Sequence, residues 1–577
     1  VNNDEGGMMD LIWWYYSGEQ RASMYYDFDY GLELVYLAGL ARLVPPHVVD
    51  FTPGLLALIF RWLHFASWLG ACWDLWRLIG RHVGTGWPQG VAVLLLAVRP
   101  AFASLVNDWK PEPLVLLCML LGLDCALRHL DHPSKRSVYL AAAFASMAFL
   151  IKYAGLFLLP AIAAAVYLAE QDRQASGRPR AIVPTVRGAW LLYALMGVGV
   201  IAFVTSVTVF YTRHSTGTTW YHQYGFGGSL MANRMILTVA LAGVSLMAIS
   251  IALWVFNRSR HPAVQRVMER VNAVHASLGV VLGIFLGFTV IFGVGWVLHP
   301  KLFLTAYGQL GPTALAPESM RQLAHEGFLP AFAGHLLREL QAFDPLILMS
   351  FVVAMAVEWY GRRRGMSIDP LLRRKRVVLS VFLLPGFIAM SAMLKIRAYH
   401  LLPFVVVMSV IVLQGLRILL QGWRSSSVLQ AGAIAIIVLL GADVSVNAAT
   451  VVTSRMHEFR QEEDVIFELA RWWRQHIPRE ASIVADHHTS VYILPDYPHL
   501  RALKGHEVRK PQQLRALIER HRPEFVYYKL DPENAMGPLE DLLPGKRVEL
   551  LKAFDSAGRR YQRLPGDRFV IYRILDE

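Results

Sequence analysis

Cysteine is scarce in this chain: three in 577 residues, Cys72, Cys118 and Cys125, each inside an apolar stretch. They offer neither a disulfide framework nor a thiolate metal cluster, and the redox compartment cannot be read from them. Charge is scarce too, at 17% of residues against roughly a quarter in ordinary soluble domains. With 55% hydrophobic residues, that shortage excludes a conventional soluble enzyme. No nucleotide fingerprint, heptad array or internal repeat is present, and Gly225-Phe226-Gly227-Gly228 lacks the strand and helix that a phosphate-binding glycine motif requires. The formal charge of +13 would suit nucleic acid if it were concentrated. The cations are instead dispersed among short loops, where they act as topology signals, so no nucleic-acid partner is expected.

What the chain does have is apolar blocks of spanning length. They fall at roughly 53 to 76, 86 to 106, 113 to 130, 137 to 151, 154 to 169, 188 to 211, 235 to 256, 277 to 298, 343 to 360, 377 to 394, 398 to 420 and 428 to 449. The pattern predicts an α-helical polytopic membrane protein of about twelve spans. One set of alternate loops is rich in cations: Arg77 and Arg81, Arg128 to Arg136, Arg173 to Arg187, Arg258 to Arg270, Arg362 to Arg376, and Arg417 with Arg424. The positive-inside rule puts that set in the cytoplasm, and hence both ends of the chain outside. The chain opens on Val1 in mid-loop, which predicts a further span, or a cleaved signal peptide, before it. Three regions follow: an outer loop over 1–52, a transmembrane domain over 53–449, and an extracytoplasmic soluble α/β domain over 450–577. In the last, 482–486, 525–528 and 569–572 read as strands, and 460–475 and 509–520 as amphipathic helices. Asp486-His487-His488 looks like a metal ligand set, but Asp and His after a strand more often shape turns.

Chemistry is expected in the outer loops, because charge at a membrane boundary is expensive and tends to be functional. Asp4-Glu5 opens the chain, followed by the interfacial aromatics Trp13-Trp14-Tyr15-Tyr16 and by Tyr25 to Gly31, which includes Asp29 and Tyr30. Lys110-Pro111-Glu112-Pro113 stands at the mouth of two spans. Lys152-Tyr153 separates two abutting apolar blocks, where the lysine is either a snorkelling helix end or an anion ligand. Further loops carry His222 among aromatics and the basic turn Lys395-Ile396-Arg397-Ala398-Tyr399-His400.

Taken in order, these pieces resemble the membrane-embedded GT-C glycosyltransferases that use lipid-linked sugars, specifically the bacterial family related to protein O-mannosyltransferases and the lipid A aminoarabinose transferase. The matching pieces are Asp4-Glu5, Phe28-Asp29-Tyr30-Gly31, Lys110-Pro111-Glu112-Pro113-Leu114, Lys152 and Arg397-Ala398-Tyr399-His400-Leu401-Leu402-Pro403. Two positions depart: Asn3 stands where Pro is frequent, and Glu112 where Asp is commoner.

The resemblance implies transfer of a sugar from a polyprenyl-phosphate donor to an acceptor hydroxyl on a lipid, glycan or protein, at the outer face of a bacterial inner membrane. The residues suit that chemistry. Asp4 is the first candidate for the base, with Glu5 orienting the acceptor or holding a cation and Glu112 as a further carboxylate. Lys152, Arg397 and His400 would bind the donor phosphate. Asp29, Tyr30, Lys110, Tyr153, His222 and Tyr399 would line the acceptor or donor pocket. Oxygen ligands suit Mg or Mn, although nothing in the sequence requires a cofactor. Two other classes remain, a secondary transporter and a non-catalytic membrane scaffold. Against the transporter stand the missing repeats and the acidic outer loops.

Overall fold

The structure, a computed structural model, describes residues 39–49, 51–104, 112–151, 153–175, 247–259, 261–293, 345–363, 368–392, 401–422, 426–459, 465–486, 500–503, 511–530, 537–555 and 568–575, with single positions such as 16 and 497. In chain order the helices of the apolar region are α1 (Pro53–His82), α2 (Trp87–Ala97), α3 (Pro100–Ser104), α4 (Glu112–Asp131), α5 (Lys135–Ile151), a 3-10 turn (Tyr153–Phe157), α6 (Leu158–Ala175), α7 (Met247–Asn257), α8 (Pro262–Phe292), α9 (Pro345–Arg363), α10 (Pro370–Ala392), α11 (Leu402–Gln421) and α12 (Ser427–Phe459). Proline starts α1, α3, α8, α9 and α10, at a position whose amide has no helical partner in any case and where the fixed φ favours the first turn. Among the described residues six segments are long and apolar enough to cross a membrane: α4, Gly155–Ala175, α8, α9, α11 and most of α12. The chain is a mostly helical, multi-pass membrane protein. Most of the expected span at 188 to 211 lies outside the described residues.

The block expected as one span over 86 to 106 is two helices, α2 and α3, interrupted at Val98-Arg99. Pro100 disfavours the helical conformation in the residue before it, which ends α2. The same break frees Arg99 to make an ion pair described below.

The chain divides into two compact units, one of Val1–Gly70, Leu94–Leu114 and Asp443–Glu577, the other of Ala71–Val93 and Val115–Ala442. In the second unit α11 is the most enclosed of the candidate spans, with 94% of its apolar window buried, whereas the window of α8 is 17% buried. Small residues bring these helices close, as is usual where lipid and side chain are equally apolar. A Cβ on Gly386 of α10 would lie 2.3 Å from the Phe404 ring of α11. Ser146 of α5 and Thr289 of α8 share a hydroxyl hydrogen bond at 3.0 Å.

The first unit contains a five-stranded sheet built from β1 (Ile483–Asp486), β2 (Leu500–Leu503), β3 (Phe525–Leu530), β4 (Arg547–Asp555) and β5 (Arg568–Leu575), in the order β2-β1-β3-β5-β4. β1 runs parallel to β2 and β3, while β5 is antiparallel to both β3 and β4. Alternation along each strand sends side chains to two faces. Ile483, Phe525, Tyr527, Phe569 and Ile571 meet Leu469 and Trp473 of α13 (Val465–His476) on one face. Val484, Val526, Tyr528, Val570 and Tyr572 meet Leu514 and Ile518 of α14 (Pro511–His521) on the other. The expected strands at 482–486, 525–528 and 569–572 are β1, β3 and β5, and the two expected helices are α13 and α14. β2 and β4 are additional, and both are edge strands.

Candidate functional site

Most of the predicted site lies outside the described residues: Asp4, Glu5, Asp29, Tyr30, Lys110, Lys152, His222, Arg397, Tyr399 and His400. Tyr153 opens the 3-10 turn. Glu112 is described in full. It opens α4 with Pro113 behind it and is 5% exposed. A carboxylate in the first turn is stabilised by the partial positive charge of the helix N-terminus.

The surroundings of position 152 are also defined. α5 ends at Ile151 and the 3-10 turn starts at Tyr153, so a single residue joins them. Gly155 makes the tight return feasible, since a Cβ there would come within 2.1 Å of the Ala145 carbonyl oxygen and 2.4 Å of the Phe149 nitrogen. Only glycine lets the backbone of the turn lie directly on α5.

A second group of polar residues was not among the sequence candidates. Asp124 lies in the apolar run of α4 and is fully buried. Its Oδ2 accepts from Arg81 at 2.7 Å and pairs with Arg128 at 2.9 Å, while Oδ1 faces Nε2 of His82 at 3.1 Å. The other ring nitrogen of His82 stands 3.6 Å from Asp131, which also holds Lys375 at 2.7 Å. Gln414 of α11 donates to the His82 carbonyl and accepts from Arg376, both at 3.4 Å. The network thus ties the C-terminal ends of α1 and α4 to the start of α10 and the end of α11. Two guanidinium groups and an imidazole already occupy the lone pairs of Asp124, so it is suited to anchoring and poorly suited to accepting a proton. A carboxylate inside an apolar helix was the signal that could have found it.

In the other unit, Arg99 donates from Nη2 to Asp443 Oδ2 at 2.8 Å, and Asn447 donates to Oδ1 at 3.1 Å. Both charged side chains are nearly buried, at 5% and 1% exposure. His64 is buried beside Phe60, with ring centroids 4.1 Å apart, and neither of its nitrogens has a hydrogen-bond partner among the described residues. Among the described residues no three or more His, Cys, Asp or Glu side chains gather as a metal site. Glu5, the other carboxylate considered for a divalent ion, lies outside them.

No curated protein matches the chain. Residues 57–201, which run from α1 through Glu112, the 3-10 turn and α6, match the family model described as dolichyl-phosphate-mannose-protein mannosyltransferase, and over that segment the chain is similar to this family.

Proposed function

We propose that the chain is a glycosyltransferase that moves a sugar from a polyprenyl-phosphate donor to an acceptor hydroxyl outside the cytoplasm of a bacterial cell. The observation that carries this reading is the mannosyltransferase match over 57–201, because it includes two of the places where polar residues interrupt apolar sequence at its edges, Glu112 and Lys152. A non-catalytic scaffold has no need of either, and a transporter would place its ionisable groups near the bilayer midplane.

The remaining parts of the reading follow from the chemistry. About twelve spans enclose a cavity open to the outer face, with Asp4, Glu5, Glu112 and Lys152 on its walls. The acceptor oxygen attacks the anomeric carbon as the bond from that carbon to the phosphate oxygen breaks. The electron pair leaves with polyprenyl phosphate, where Lys152, Arg397 and His400 balance the developing charge. Asp4 takes the acceptor proton. A single displacement of this kind inverts the anomeric centre. Glu5 and Glu112 offer oxygen ligands of the type Mg or Mn prefers, and no step above depends on a metal. The α/β domain after residue 450 supports access of the acceptor or docking of a partner and carries none of the chemistry.

The test is transfer in proteoliposomes from a labelled polyprenyl-phosphate sugar, with release of polyprenyl phosphate read alongside. Asp4→Asn keeps the shape of the side chain and removes the base, so turnover should fall on the order of a hundredfold or more while donor binding persists. Failure of the wild-type chain to release polyprenyl phosphate from any lipid-linked sugar would overturn the proposal. An Asp4→Asn protein with near wild-type turnover would move the base to Glu5 or Glu112.

A further inference from the structure

A cleft of about 360 Å³ lies between α9 and α10, lined by Met355, Glu358, Arg362, Arg373, Arg376 and a row of residues continuing along α10 from Val377 to Leu384. Charged and apolar residues are sorted along its length. On α10 the lining begins with Arg373 and Arg376 and continues through Val377, Ser380 and Val381 to Leu384, a distance of about 16 Å along the helix. On α9 the order is the same, from Arg362 at the helix end through Glu358 to Met355. Val377, Leu384 and Met355 are all substantially exposed, so the apolar stretch opens sideways where lipid chains lie.

The cations at the start of α10 call for anions. Arg373, Arg374, Lys375 and Arg376 sit near a helix N-terminus, where the helix dipole disfavours positive charge. Three of the four are answered by carboxylates: Arg374 by Asp172, Lys375 by Asp131 and Arg376 by Glu358. Arg373 is exposed at the cleft and has no carboxylate partner among the described residues. Arg376 is more than nine-tenths buried, and its Nη2 has no hydrogen-bond partner among them. Glu358 is shared between Arg376 and Arg362, so three arginine residues line the cleft against a single carboxylate.

We infer that this cleft binds an anionic phospholipid, with the headgroup phosphate among Arg373, Arg376 and Arg362 and an acyl chain along Val377, Val381 and Leu384. The polarity order of the cleft is that of a lipid, charged at the headgroup and apolar below it, and the surplus positive charge selects an anionic one. Basic pockets between spans at the positively charged side of a membrane protein suit such headgroups. This site is separate from the donor positions proposed above, since it lies at the ends of the spans where the cations gather.

The full-length chain in detergent is titrated with phosphatidylglycerol, with phosphatidylcholine of the same acyl chains, and with inorganic phosphate. The unfolding midpoint is followed, and retained phospholipid is counted by mass spectrometry. Phosphatidylglycerol should raise the midpoint and be retained, and the other two should do neither. Arg373→Gln removes a charge-assisted contact from an exposed position and should weaken phosphatidylglycerol binding about tenfold. Val381→Trp fills the acyl-chain end of the cleft and should have the same direction, with Arg373→Gln deciding alone if the tryptophan variant does not fold. Equal stabilisation by phosphatidylcholine would reduce the cleft to ordinary lipid contact, and equal stabilisation by inorganic phosphate would make it a site for a free anion. Either result, or undiminished phosphatidylglycerol binding in the folded variants, overturns the inference.

Discussion

Replacing Asp124 by Asn tests whether the buried network is an anchor or a piece of chemistry. The substitution preserves volume and one acceptor oxygen, and removes the charge that faces Arg81, Arg128 and His82. The three partners respond differently. Arg81 and Arg128 are 38% and 39% exposed, so their guanidinium groups can turn to water and headgroups, and each contributes little to the loss. His82 has a fully buried side chain and faces a neutral amide in place of the carboxylate, with the 3.6 Å contact to Asp131 as its remaining charged neighbour. Breaking a fully buried pair costs about 3–5 kcal/mol, so with two of three partners able to reach solvent the expected loss is about 2–3 kcal/mol. Unfolding of the reconstituted chain by a denaturing detergent reads this directly. Turnover with a polyprenyl-phosphate sugar, measured where the variant is still folded, should stay close to wild type. An Asp124→Asn protein of unchanged stability and lost turnover would refute the anchor reading and bring Asp124 into the reaction.

The break at Arg99 makes a second test. Asp443→Leu alone leaves Arg99 buried with its main counter-ion gone and should cost roughly 3–5 kcal/mol, whereas Arg99→Met with Asp443→Leu should recover most of that loss, as read by the same unfolding assay. Lys152→Met and Arg397→Met should each weaken donor binding more than acceptor binding in titrations of the two substrates; unchanged donor affinity in both would leave them as snorkelling helix ends. In the sheet, the Tyr528 hydroxyl donates to the Gly537 carbonyl at 2.7 Å. Its pKa is pushed up, first by burial and then by Tyr572, Glu540 and Asp541. The unfolded chain therefore ionises first, so stability is constant below about pH 10 and falls as pH rises beyond it. Tyr528→Phe should remove this part of the slope, and an unaltered alkaline profile would count against Tyr528 as its source.

What could be read from the sequence depended on how far each signal reaches along the chain. β1, β3 and β5 were legible because Ile483, Phe525, Tyr527, Phe569 and Ile571 alternate with neighbours that also face a core, giving short, dense apolar runs. β2 and β4 were not, because Leu-Arg-Ala-Leu and Arg547–Asp555 are edge strands with charges on them, the usual protection against pairing with another chain. The blocks at 113 to 130, 343 to 360 and 398 to 420 coincide with α4, α9 and α11 to within a few residues, whereas α8 (Pro262–Phe292) starts well before its block at 277 and α12 (Ser427–Phe459) runs well past 449. The split of α2 from α3 turns on Pro100 and on a partner 344 residues away in Asp443, and no local pattern contains the second of these.

The same limit separates the two groups of charged residues. Glu112 and Lys152 stood out because they interrupt apolar sequence at its edges, where polar residues are conspicuous. The cations of the Arg-rich loops were legible as a topology signal and nothing more, since the positive-inside rule counts Lys and Arg without asking what they touch. Their partners are single carboxylates inside or beside spans, Asp124, Asp131, Asp172 and Glu358, contributed by α4, α6 and α9. Each helix thus brings one or two groups that look isolated in sequence, and only packing assembles them into a network. Arg373 shows what that packing adds: among four consecutive cations of equal weight in the sequence, it is the one that the carboxylates leave at an open cleft.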